Sequence, residues 1–232
     1  MIWSYYMASD TGISFCPLFE VEGAEAFAHS INTSRLAYVE RSTQQLPLIF
    51  NTLHQNALGV LDKGKLIGYV IVNEAGDEMS ELEMENTDDI SRTIKAYMGY
   101  SKAERISIYT PEYDISLNTM LGSMAEDYVI ETSDMYHILD FANVLKAYLT
   151  LKHKTTGIVQ GEFSAVMDGQ PITARVDASG VTVERSAKQD AVVLTKQQAQ
   201  ALLLTQHSRY MAVPAPAGWF PLPIFWYKID KY

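Results

Sequence analysis

The chain has 232 residues, 47% hydrophobic and 20% charged, a composition that builds a globular core and argues against disorder. Against 18 basic residues stand 28 acidic ones, and the formal net charge of −10 repels phosphate backbones and anionic surfaces, which excludes nucleic acid and membrane as partners. No apolar run approaches the ~20 residues that cross a bilayer. The opening Met1-Ile-Trp-Ser-Tyr-Tyr lacks the basic and apolar regions of a secretory signal, and the single cysteine, Cys16, forms no internal disulfide, so the cytoplasm is the expected location.

The first predicted elements are helical. Ala24, Phe27 and Ile31 recur at helical spacing within 22–31, and a helix over 42–55 is expected to bury Leu46, Ile49, Phe50 and Leu53. A hairpin follows, in which 57–61 and 66–72 flank Asp62-Lys-Gly-Lys and Gly64 supplies the positive φ of a tight turn. From Ser80 to Asn86 the residues alternate, with Glu81, Glu83 and Glu85 on one face and Leu82 and Met84 on the other. Alternation of that kind reads as a solvated sheet face. The alternative is three carboxylates gathering an amine or a divalent cation. Thr87 or Asp88 caps a helix burying Ile90, Ile94, Tyr97 and Met98, with Gly99 as its stop. Residues 105–110 read as a strand, Pro111 opens a helix toward Met124, and 128–132 read as another strand.

The pattern changes after about Ser133. Asp140 caps a helix that carries Phe141, Val144, Leu145, Tyr148 and Leu149 on one stripe. Three short strands come next. Phe163, Ala165 and Met167 lead into the Asp168-Gly169 turn, Ile172, Ala174 and Val176 lead to Ala178-Ser-Gly180, and Val181 and Val183 complete a meander with one packed and one wet side. Thr195 and Gln198 form a capping box before Ala199, Leu202 and Leu203. The tail from Pro214 holds four prolines, and Phe225 to Tyr232 reads as a final strand.

Motifs for self-contained chemistry are missing. There is no dinucleotide fingerprint, no Walker loop, no Gly-x-Ser-x-Gly and no His-Glu-x-x-His. His29, His54, His137, His153 and His207 have no Cys or His neighbour at metal-ligand spacing. Cys16 has no adjacent positive charge to lower its pKa and reads as a buried or incidental thiol.

The order of elements does resemble a family. Leu66-Ile-Gly-Tyr-Val-Ile-Val, a strand with glutamates, a helix and a strand ending in Thr110-Pro111 resemble the core of a GNAT-superfamily acetyltransferase. The closer likeness is to the middle domain of the enhanced-intracellular-survival type, which also shows an entry similar to Met135-Tyr-His-Ile-Leu-Asp140 and a tail similar to Phe220-Pro-Leu-Pro-Ile-Phe-Trp-Tyr-Lys-Ile-Asp. The resemblance implies an α+β fold: a degenerate GNAT-like mixed α/β core over 1–133, then a smaller sterol-carrier-like α/β domain with antiparallel sheet over 134–232. It also implies acetyl transfer from acetyl-CoA to an amine.

One segment departs from the family pattern. Acetyl-CoA sites place an Arg-x-x-Gly-x-Gly/Ala turn at a helix N-terminus, where backbone N–H groups hold the pyrophosphate. Here the place is taken by Glu85-Asn-Thr-Asp-Asp-Ile-Ser-Arg-Thr, with no glycine and with two aspartates that repel an anion. The resemblance therefore implies that this chain binds no cofactor itself and begins after the acetyl-CoA-binding GNAT domain. That domain would be supplied upstream, by a partner chain or within a homo-oligomer. In the family the C-terminal carboxylate acts as general base, and the matching group is that of Tyr232, conditional on the missing domain. The alternative from another class is a non-enzymatic binding or scaffold module, with an apolar ligand cavity beneath Phe163, Met167, Leu203 and Trp219.

Overall fold

The computed structural model describes residues 11–36, 38–52, 54–111, 113–129, 136–205, 213–227 and 229. Two compact units divide the chain: Met1–Ile130 together with Phe225–Tyr232, and Glu131–Ile224. The tail is thus divided: its part up to Ile224 clusters with the second unit and Phe225–Tyr232 with the first. No helix among the described residues is long and apolar enough to cross a membrane.

The first unit is built on a five-stranded sheet, β1 (Ile13–Pro17), β2 (Gln55–Asp62), β3 (Lys65–Asn73), β4 (Glu78–Met84) and β5 (Ser107–Ile108), in that order. β1 to β4 pair antiparallel, and β5 joins β4 in parallel. The β2–β3 turn places both Lys63 (φ 50) and Gly64 (φ 85) in the left-handed region, as a two-residue hairpin turn matched to strand twist requires. Gly68 sets how closely β4 approaches β3. A Cβ there would stand 2.5 Å from the Glu83 carbonyl oxygen and 2.3 Å from the Met84 sulfur.

Both faces of this sheet are covered. α3 (Ile90–Ser101) and α4 (Ile115–Met124) pack on one face through Ile90, Ile94, Tyr97 and Leu121, against Val70, Val72, Met79 and Leu82. On the other, α1 (Ala24–Ser34) and the short α2 (Leu46–Phe50) bury Ala24, Ala28, Leu46 and Phe50 against Tyr69 and Ile71, joined by Ile229. The expected helix over 42–55 shrinks to five residues because Ser42–Gln45 form turns and β2 begins at Gln55. α3 runs through Gly99 to Ser101, and Lys102 (φ 57) takes the left-handed stop. Asp114, rather than Pro111, caps α4, its carboxylate accepting from the Leu117 N–H at 2.9 Å.

The second unit follows its sequence pattern closely. Asp140 caps α5 (Phe141–Thr155) by accepting from the Asn143 N–H at 3.1 Å. The sheet order is β8 (Gly180–Glu184), β7 (Gln170–Asp177), β6 (Gly161–Met167), β9 (Val192–Leu194), the last parallel to β6. α6 (Lys196–Leu204) starts at the reciprocal Thr195/Gln198 capping box. The apolar face of β6 and β7 packs against Leu145, Leu149, Leu202 and Leu203, while Glu162, Arg175, Glu184 and Lys188 pair across the open face. The residues between 213 and 227 lie outside any strand, so the expected final strand is absent over Phe225–Tyr227. Its end, Asp230–Tyr232, lies outside the described residues, as do Met135 of the entry motif and most of the strand expected over 128–132.

Candidate functional site: a cleft above a buried ion-pair network

β4 and β5 stay together over only two residue pairs, Glu78↔Ser107 and Met79↔Ile108. Beyond Met79 the two strands part, and a cleft of about 130 Å³ opens at the carboxyl end of β4. Crevices at the carboxyl ends of parallel strands are where open α/β sheets place ligands. β4 supplies Leu82, Glu83 and Met84 to its wall, the approach to α4 supplies Tyr113 and Asp114, and the tail supplies Phe225 and Tyr227.

The first two members of the glutamate row, Glu81 and Glu83, do not face open water. Because α1 and the loop after it cover that face of β4, Glu81 has no exposed surface. Arg41, itself 1% exposed, donates from both terminal nitrogens to the two Glu81 oxygens at 3.2 and 3.1 Å. Arg35 Nη2 adds a 2.6 Å bond to Glu81 Oε1, and the Tyr69 hydroxyl donates to the same oxygen at 2.6 Å. Burial pushes the Glu81 carboxyl up, but Arg35 and Arg41 more than offset it and hold its pKa below the ordinary glutamate value. The solvated-face reading is corrected on this point. The partners lie 40 and 46 residues away in a segment without periodic pattern.

One step along β4, Glu83 reaches the cleft. Its Oε1 accepts from Arg35 Nη2 at 2.7 Å and from the Tyr227 hydroxyl at 2.7 Å. The Arg35 guanidinium lies 4.5 Å from the centre of the Tyr227 ring, a cation–π contact. Burial raises the Glu83 pKa, Arg35 opposes that and Glu81 adds to it, leaving it above the ordinary value. Burial likewise pushes the Tyr69 and Tyr227 phenols well up, so both stay neutral donors. Glu85, the third member of the row, is exposed and pairs with Lys65 at 3.3 Å.

The β4–α3 turn holds its own side chains. Asn86 Oδ1 accepts from the Asp88 N–H at 3.0 Å, and Arg92 donates to Asp89 Oδ1 and to Asp62 Oδ2, both at 2.8 Å. Tyr232, the one catalytic candidate from sequence, lies outside the described residues. Phe163, Met167, Leu203 and Trp219 all sit buried in one core cluster of the second unit, where the Trp219 indole donates to the Val159 carbonyl at 2.9 Å. Burial raises the Cys16 thiol, with Glu20 adding to it, which fits an unreactive side chain. No group of three or more His, Cys, Asp or Glu suited to a metal ion occurs among the described residues.

An antiparallel meander whose last strand hands over, through a helix, to a parallel neighbour is the arrangement of the GNAT fold, and the chain has that α+β architecture. It superposes on a GCN5-related N-acetyltransferase from Anabaena variabilis ATCC 29413 with a TM-score of 0.51 at 12% identity, covering 95% of this chain and 62% of that one. The chain therefore spans less than two thirds of that protein's length. Also similar are a conserved protein of unknown function from Enterococcus faecalis V583 (TM-score 0.48, 15% identity, 89% of this chain and 56% of that one) and a ribosomal-protein-alanine N-acetyltransferase from Brucella melitensis biovar Abortus 2308 (TM-score 0.38, 10% identity, 54% and 98%). No family model and no curated protein matches the chain.

Proposed function

We propose that the chain is the non-catalytic portion of a GNAT-type N-acetyltransferase of the cytoplasm. Acetyl transfer from acetyl-CoA to an amine is then performed by a separate GNAT domain, joined upstream, carried by a partner chain or assembled in a homo-oligomer. In that assembly the terminal carboxylate of Tyr232 acts as the general base that deprotonates the ammonium acceptor. The second unit is a sterol-carrier-like module with a structural role.

The β4–α3 turn carries this reading. A helix N-terminus binds pyrophosphate when glycines let the ligand approach and its N–H groups are free. In 85–92 there is no glycine, Asn86 already accepts the Asp88 N–H, and the Asp89 carboxylate lies at the helix start. Negative side chains there complement the helix dipole in place of a ligand anion. Isothermal titration with acetyl-CoA, and with CoA as control, tests the reading: no binding is expected from the purified chain. Micromolar binding would overturn it and make Asp88–Arg92 an atypical phosphate site.

A further inference from the structure

We propose that the cleft of the first unit binds a small organic cation of the quaternary-ammonium type, held by aromatic rings and by the free oxygen of Glu83. The walls decide the chemistry. Tyr38, Tyr113, Phe225 and Tyr227 bring four aromatic rings to the cleft, and Glu83 and Asp114 bring two carboxylates. Ring faces attract a cation through their quadrupole, most strongly where water is displaced.

Among the described residues Arg35 is the one cation lining the cleft, and its charge is engaged within the network. Its Nη2 contacts Glu81 at 2.6 Å and Glu83 at 2.7 Å, and its guanidinium lies over Tyr227. Among the described residues that line the cleft, the single guanidinium of Arg35 stands with two carboxylates, Glu83 and Asp114. One negative charge is left over at the cleft. The Arg35 contact at 2.7 Å and the Tyr227 hydrogen bond of Glu83 both fall on Oε1, and Oε2 accepts no hydrogen bond from a protein group among the described residues. Size agrees with this: about 130 Å³ is well below the ~300–1,000 Å³ of sites for drug-sized ligands, and suits a compact headgroup.

A quaternary ammonium has no N–H to lose, so its capture is binding and not acyl transfer. The inference therefore stands or falls separately from the acetyl-CoA titration. The test is calorimetric titration of the full chain with choline chloride, and with 3,3-dimethylbutan-1-ol, its neutral carbon analogue, at matched ionic strength. Saturable choline binding is expected, with the neutral alcohol roughly tenfold weaker or worse. Tyr113→Phe keeps the ring and the affinity, whereas Tyr113→Ala weakens choline roughly three- to tenfold. Glu83→Gln removes the counter-charge and weakens it further; should that variant not fold, the two Tyr113 variants still decide. Absence of saturable choline binding, equal binding of the alcohol, or an unchanged affinity in Tyr113→Ala would each overturn the proposal.

Discussion

In the first unit the middle of the sheet carries a carboxylate with no exposed surface, Glu81, clasped by Arg35, Arg41 and Tyr69. In the second unit the equivalent interior positions are Phe163, Ala165 and Met167, and the charges stay on the wet face as Glu162, Arg175, Glu184 and Lys188. Of the six buried polar or charged residues among those described, five (Asn32, Arg41, Ser80, Glu81 and Thr93) are in the first unit and Thr173 is in the second. Burying an ion pair gains little over packing apolar residues in the same volume. The network is therefore poorly explained as a stabilising device, and its position beneath the cleft suggests another role. It fixes Arg35, and through Arg35 it fixes Glu83 and the Tyr227 ring.

The sharpest way to break this contrast is Glu81→Ala. Arg41 would lose its two-point contact with the carboxylate and Arg35 one of its two carboxylate partners, and breaking a buried pair in this way costs about 3–5 kcal/mol. Hydrogen exchange during denaturant unfolding should show the loss across β2 to β4 and leave β6 to β8 unchanged. Equal loss of protection in both units would show that their stabilities are not separate. The sign with pH follows from the depressed Glu81 value. Its contribution is complete above the ordinary glutamate pKa of 4.5 and disappears as pH falls through the lower folded value. In the wild type, acid should therefore open the first unit through Glu81.

A smaller effect is expected from Tyr227→Phe, which keeps the ring under Arg35 and removes only the hydroxyl bond to Glu83. A hydrogen bond to a charged group contributes about 1.5–3 kcal/mol. The measurement is the denaturation midpoint of the first unit at neutral pH. No change would mean that the tail is held by its apolar contacts alone, with Ile229 as the anchor.

These two variants concern residues whose roles were hidden in the sequence, and the reason is physical. Local features were legible: the Asp140 and Thr195 caps, the Gly64 turn and the alternation of β6 and β7 depend on neighbours within a few residues. Alternation along β4 was legible too, but it says which residues share a face and nothing of what covers that face. Arg35 and Arg41 lie in an irregular loop with no periodicity to mark them. The aromatic, β-branched tail looks like a strand by composition, yet Phe225–Tyr227 act through side chains against the first unit rather than through a ladder. The short strands β1 and β9 owe their existence to a neighbouring strand, which no local pattern reveals, whereas β5 lies inside the strand expected over 105–110.

The weakest perturbation tests the other side of the contrast. Arg175 joins Glu162 and Glu184 across the open face of the second unit, about half exposed. Exposed pairs gain little because water screens them and two long side chains must be ordered. Arg175→Ala should leave the unfolding midpoint of the second unit where it is, at low salt and at high. A clear drop that added salt abolishes would show that this unit, too, relies on its charges. The division between a charge-built and an apolar-built core would then be one of degree. An unchanged midpoint beside a collapsed Glu81→Ala variant would locate the structural use of charge in the first unit, under the cleft.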